Sequence, residues 1–192
     1  MRHTTVPSSW KRTFAPVKVP YIACVNNHRV SNNLTLNIMS TRANIIIREG
    51  LKLEDEKVTL YYHSDGYPEW LGVVLQEVCK QLSKCKWFYC SEDIANMLVK
   101  RGVVVDDKED GERVDDDFSI SAGLHGDIEF IYVIDSYKDS RFGHMYAVKC
   151  WAVTCKDCKP DLDNIELVEI PEASPYFNKA ELAWFRDKKP TI

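Results

Sequence analysis

No stretch of this 192-residue chain approaches 18 consecutive apolar residues, so no segment is long enough to cross a bilayer as an apolar helix. No G-x-S-x-G elbow, glycine-rich phosphate loop, dinucleotide fingerprint or H-E-x-x-H helix occurs. The common signatures of acyl transfer, nucleotide binding and zinc proteolysis are therefore missing. There is no internal repeat, and no second C-x-x-C accompanies the one at Cys155 and Cys158. Acid is absent from residues 1–38, which hold Arg2, Lys11, Arg12, Lys18 and Arg29. The remainder carries 20 basic against 29 acidic residues, a charge of −9 within an overall −4. That balance gives no general case for nucleic-acid binding.

What is present is ordinary for a soluble globular protein: 45% hydrophobic and 28% charged residues. The length suits one domain with a substantial core. Seven cysteines, an odd number and scattered, read as free thiols in a reducing compartment, which points to the cytoplasm.

The chain organises around residues 39–82. Residues 43–47 are a short β-branched run. In residues 57–63, Val58, Leu60 and Tyr62 alternate with Thr59, Tyr61 and His63, the pattern of a strand with one packed face. The charged link between the runs suits an exposed hairpin loop. The second run ends in Ser64-Asp65-Gly66-Tyr67-Pro68. In this corner Asp65 is suited to accept from downstream N–H groups, Gly66 to take a positive φ, and Pro68 to open a helix. Beyond it Trp70, Leu71, Val74, Leu75, Val78 and Leu82 recur at helical spacing and predict one buried stripe. Gly72 within that stripe marks close packing on the sheet.

Ser40-Thr41-Arg42-Ala43-Asn44-Ile45, followed by His63-Ser64-Asp65-Gly66-Tyr67-Pro68-Glu69, resembles the openings of small uncharacterised proteins of bacteriophages and prophages. Those begin Met-Ser-Thr-Arg-(Ser/Ala)-x-Ile and carry a similar Asp-Gly-Tyr-Pro turn. Many also have a later aromatic strand like Gly126-Asp127-Ile128-Glu129-Phe130-Ile131-Tyr132. The resemblance covers about a third of the chain. It implies a viral or mobile-element origin, with the host cytoplasm as the setting, and brings no activity with it.

Further along, residues 91–101 predict a second short helix closed by Gly102. Residues 106–117 hold eight acids against two bases and read as a solvated, mobile loop, or as a surface for a cation or a basic partner. The spacing is not that of a calcium loop. Residues 118–122, 127–135 and 144–154 predict strands of an antiparallel meander. Residues 166–170 suggest an edge strand and 180–185 a short helix. The expected fold is α+β, a mostly antiparallel sheet of about five strands with two helices on one face. Residues 1–38 form a basic leader, read as a disordered arm, a targeting peptide or an extension upstream of a start at Met39. Residues 39–170 make a single domain, and 171–192 a loosely ordered tail.

Two His-x-Asp pairs, His63 with Asp65 and His125 with Asp127, each place an imidazole and a carboxylate on one side of an extended segment. Converging, they would suit a divalent metal or acid–base chemistry. Alone, each carboxylate simply organises a turn. Cys150, Cys155 and Cys158, with His144, supply donors of the kinds zinc takes; Cys150 within a strand is otherwise a small apolar residue. Tyr67, Trp70 and Arg42 are candidate binding residues, within a crowd of aromatics that includes Trp87, Phe88 and Tyr89. The expected function is protein binding by a phage-type accessory protein, engaging a host or phage protein, with counter-defence as one role. The alternatives are a metal-dependent or acid–base enzyme using the paired motifs, and a nucleic-acid or nucleotide binder using the basic leader. No membrane partner is expected, and oligomeric state is not legible.

Overall fold

The computed structural model describes residues 41–50, 57–139 and 143–187. The leader, the start at Met39 and most of the first hairpin loop lie outside the described residues. Strand β1 (Ala43–Glu49) pairs antiparallel with β2 (Lys57–Tyr62), Ile45 opposite Leu60 and Ile47 opposite Val58. The corner that follows differs from expectation in one detail. Asp65, at φ 52°, takes the left-handed conformation, which a short polar side chain tolerates. Gly66 instead lies against Ala43 and Arg42, where a Cβ would meet three atoms at 3.0–3.1 Å. Its N–H donates to Thr41 O at 2.9 Å and its carbonyl accepts from the Tyr132 hydroxyl at 2.9 Å. The corner is thereby tied to the sheet on two sides.

A π turn over Pro68–Gly72 leads into helix α1 (Val73–Ser83). Leu71, Val74, Leu75, Val78 and Leu82 are fully buried, and each contributes about 1.5–3 kcal/mol of burial. Gly72 packs against Ile170 and the Tyr132 ring. Helix α2 (Ser91–Arg101) starts one residue beyond its N-cap, Cys90. Two of its orphan N–H groups find carboxylates: Cys90 N donates to Asp93 Oδ2, and Ser91 N to Glu49 Oε1 at 2.9 Å. Gly102 closes it at φ 67°.

Strands β3 (Val103–Asp107) and β4 (Gly111–Asp115) form a hairpin, so residues 106–117 are not the mobile loop expected. Acidic side chains disfavour burial but not an exposed edge strand, and Glu112, Arg113 and Val114 of β4 face solvent. Strand β5 (Phe118–Ser121) does not join a meander. It pairs with β2 at the sheet edge. Strands β6 (Phe130–Asp139) and β7 (Gly143–Ala152) pair antiparallel as expected, but β1 lies beside β6 in parallel. The six-stranded sheet is therefore mixed: a short strand at Glu166–Val168, β10, forms one edge, and the order is β10-β7-β6-β1-β2-β5. Strands β8 (Cys155–Lys156) and β9 (Lys159–Pro160) make a tight hairpin, and β10 (Glu166–Val168) is the expected edge strand.

The C-terminal segment is corrected most. Residues 171–187 belong to the fold rather than to a loose tail, and residues 180–185 are only half helical. Strand β11 (Phe177–Leu182) pairs with β3 in a second sheet, β11-β3-β4, before a short helix α3 (Ala183–Asp187). Phe177, Ala180 and Leu182 fill the core, which pattern reading missed because exposed residues interrupt them. One α+β core joins both sheets to the two helices. The opposite face of the large sheet holds a smaller cluster of Tyr61, Ile128, Ile131, Val133 and Val153. No helix among the described residues is long and apolar enough to cross a membrane.

Candidate functional site

Three of the four His-x-Asp residues meet around Tyr61. Period two places Tyr61 and His63 on the same face of β2 and its continuation, and residues 122–129 fold over that face. The His125 ring stacks on Tyr61 with centroids 3.9 Å apart, while His63 meets the same ring edge-on at 4.6 Å. Asp127 Oδ2 accepts from the Tyr61 hydroxyl at 3.0 Å and from Arg42 Nη1 at 2.5 Å. His63 Nε2 lies 2.9 Å from Ser119 Oγ, and His125 N donates to the buried Asn44 Oδ1 at 2.8 Å. Partial burial lifts the Tyr61 phenol above its usual range, aided by Asp127.

Asp65 does not join the other three. It stays in the corner beside Tyr67, where, after burial, its charge helps push that phenol up. The paired motifs do not form a shared metal sphere: among the described residues the one trio of donor atoms within 4.8 Å is Glu49, Cys90 and Glu92. Capping explains that trio, since Glu49 Oε1 already accepts from Ser91 N and Oγ and Cys90 Sγ donates to Glu92. Arg42, a candidate binding residue, has its charge balanced by Asp127.

The expected zinc donors are dispersed. Cys150 lies in the core facing Tyr132, its thiol pushed up to about 12 by burial. His144, six residues earlier in the same strand and so roughly 20 Å away along it, packs on Phe88 at 4.9 Å with a buried, unpartnered Nδ1. Cys155 and Cys158 are exposed in the hairpin.

A second constellation lies where the two sheets join. Trp70, only 3% exposed, donates its indole N–H to Asp115 Oδ2 at 3.2 Å, beside the Tyr62 hydroxyl at 2.6 Å. Burial raises the Asp115 carboxyl above its ordinary value, partly offset by those two donors. The Arg113 guanidinium sits 4.6 Å over the Trp70 ring. Tyr176, 46% exposed, packs against Tyr67 at 5.7 Å and Trp70 at 6.3 Å. Lys108 at the hairpin tip holds this segment in place: its N–H donates to Tyr176 O, and Nζ to Ser174 O and Pro175 O. The arrangement is an aromatic platform roofed by an arginine and bordered by the acidic hairpin. Tyr67 and Trp70 were legible from the corner and the helical stripe. Arg113, Asp115 and Tyr176 were not: nothing local distinguishes two residues of a charged run read as a loop, and Tyr176 lies in a segment read as a loose tail.

Trp87 stands apart, 76% exposed on the loop between the helices. Comparison with protein-family models, curated proteins and solved structures finds no match.

Proposed function

We propose that the protein works by binding another protein through the surface made by Tyr67, Tyr176, Arg113 and the acidic hairpin of residues 106–117. The observation that carries this reading is the stacking of Arg113 on Trp70 beside Tyr176. Tyrosine, tryptophan and arginine are the residues that dominate binding energy at protein interfaces. Here they come from three separate segments and are already ordered, so little conformational freedom remains to be lost on association. Trp70, being buried, serves as the base of the surface, and Tyr67, Tyr176 and Arg113 are what a partner touches. The surrounding acids favour a partner with basic groups. The resemblance of residues 40–69 to phage proteins supports an accessory role in a host cell, with counter-defence as the specific role it suggests. Free thiols at all six cysteines among the described residues support the host cytoplasm.

The test is comparative capture from host lysate with the wild-type chain and an Arg113→Ala/Tyr176→Ala variant of matched circular dichroism. The captured protein is then purified and its affinity for both chains measured. At least a 30-fold loss in the variant is expected, corresponding to about 2 kcal/mol at a hot spot. Equal affinity for both chains overturns the reading.

A second reading, acid–base chemistry by His63, His125 and Asp127, is favoured by their meeting around Tyr61. It expects His125→Asn and His63→Asn to abolish a reaction that the Arg113→Ala/Tyr176→Ala variant retains.

A further inference from the structure

Two weak motifs far apart in sequence come into contact in the fold. Gly126, between His125 and Asp127, has no room for a Cβ, because that atom would collide with the carbonyl oxygen of Cys158. The β8–β9 hairpin therefore sits with its backbone directly on the His125–Asp127 segment. Cys155 Sγ lies 3.3 Å from Ile128 O, one residue beyond Asp127. The Cys155 thiol and the Cys158 backbone thus border the segment that carries His125.

Neither cysteine is explained by packing. Cysteine is among the most buried residue types, yet both are exposed. Cys158 also occupies a costly position. Asp157 and Cys158 are at φ 51° and 58°, the mirrored turn of a tight hairpin, whose second central position favours glycine. A side chain kept in a conformation that disfavours it points to a use for the side chain. The His125 ring is meanwhile oriented by its stack on Tyr61 and by the Asn44 contact to its backbone.

We propose that Cys155, Cys158 and His125 form a binding site for zinc or a similarly soft divalent ion. Two thiolates and one imidazole are a donor set that zinc takes readily, with a fourth position left to water. Asp127 is committed to Tyr61 and Arg42, which anchor the loop. The three donor atoms do not yet lie within 4.8 Å of one another. Binding turns the two exposed thiols toward the imidazole, and each thiol gives its proton to solvent as its metal–sulfur bond forms. The site differs from the one expected from sequence: Cys150 and His144 are replaced by the histidine of the neighbouring loop.

Titration of the reduced, full-length chain with Co²⁺ tests this. The expected result is a near-ultraviolet thiolate-to-cobalt band with tetrahedral visible absorption, both displaced by Zn²⁺. Cys155→Ser and Cys158→Ser each weaken the thiolate band, His125→Asn alters the visible bands, and Cys24→Ser, Cys90→Ser and Cys150→Ser leave both unchanged. A chain that shows no thiolate band overturns the proposal. So does a band that survives Cys155→Ser and Cys158→Ser, or one lost in Cys90→Ser, which would assign the ion to the Glu49–Cys90–Glu92 trio.

Discussion

The Tyr62 hydroxyl donates to Asp115 Oδ2 at 2.6 Å, linking the six-stranded sheet to the three-stranded one through a buried carboxylate. Because burial raises the Asp115 pKa, the folded protein holds this proton more tightly than the unfolded chain does. Its contribution to stability is fullest below the ordinary value of 3.8 and declines as pH rises through the folded value. Asp115→Asn retains an acceptor for Tyr62 and Trp70 but carries no charge. Denaturant unfolding at pH 7 should show it more stable than wild type, with the two chains converging near pH 3. A variant less stable at pH 7 would refute the assignment.

Gly102 and Gly111 both hold positive φ, but only one is crowded. A Cβ at Gly102 would strike the Asp115 carbonyl, whereas at Gly111 it meets nothing within 4 Å. Gly102→Ala is expected to cost more than about 3 kcal/mol, since backbone must move, and Gly111→Ala about 1–2 kcal/mol from its conformation alone. Thermal unfolding of both variants checks the ranking.

Trp70 and Trp87 were similar in sequence but differ in setting. Trp70→Ala should lose about 3–5 kcal/mol, and Trp87→Ala should stay within about 0.5 kcal/mol of wild type. Urea titrations followed by circular dichroism distinguish them. A large loss for Trp87→Ala would mean that its loop is packed.

Burial pushes Asp127 up, but the Tyr61 and Arg42 hydrogen bonds outweigh it and hold the carboxyl below its ordinary value. The stability it contributes is present above the unfolded value and fades as pH falls through the folded one. With both side chains 45% exposed, it amounts to less than about 1 kcal/mol. Arg42→Gln should shift the Asp127 carboxyl resonance to titrate at higher pH in NMR. An unchanged titration would show that the pair does not persist in solution.

Much of the fold was legible because it is local. The alternation in β2, the stripe of α1 and the closure of α2 at Gly102 each follow from neighbours within a few residues. Strand β11 was missed because its buried residues, Phe177, Ala180 and Leu182, straddle exposed Asn178 and Lys179 where the register with β3 shifts. The parallel contact of β1 with β6 was missed because it joins segments more than 80 residues apart.

The candidate sites divide in the same way. Sequence alone determined that His63 and Asp65 close a strand at a tight corner, that residues 106–117 are acidic, and that Tyr67 and Trp70 lead into a buried helix. Tertiary structure decided that Asp65 stays behind while His63, His125 and Asp127 gather on Tyr61. It also set Arg113 over Trp70 and brought the Cys155–Cys158 hairpin onto Gly126. Propensity and periodicity act over a few bonds, whereas these contacts depend on strand order and on the crossing of residues 122–129, which no short window of residues encodes.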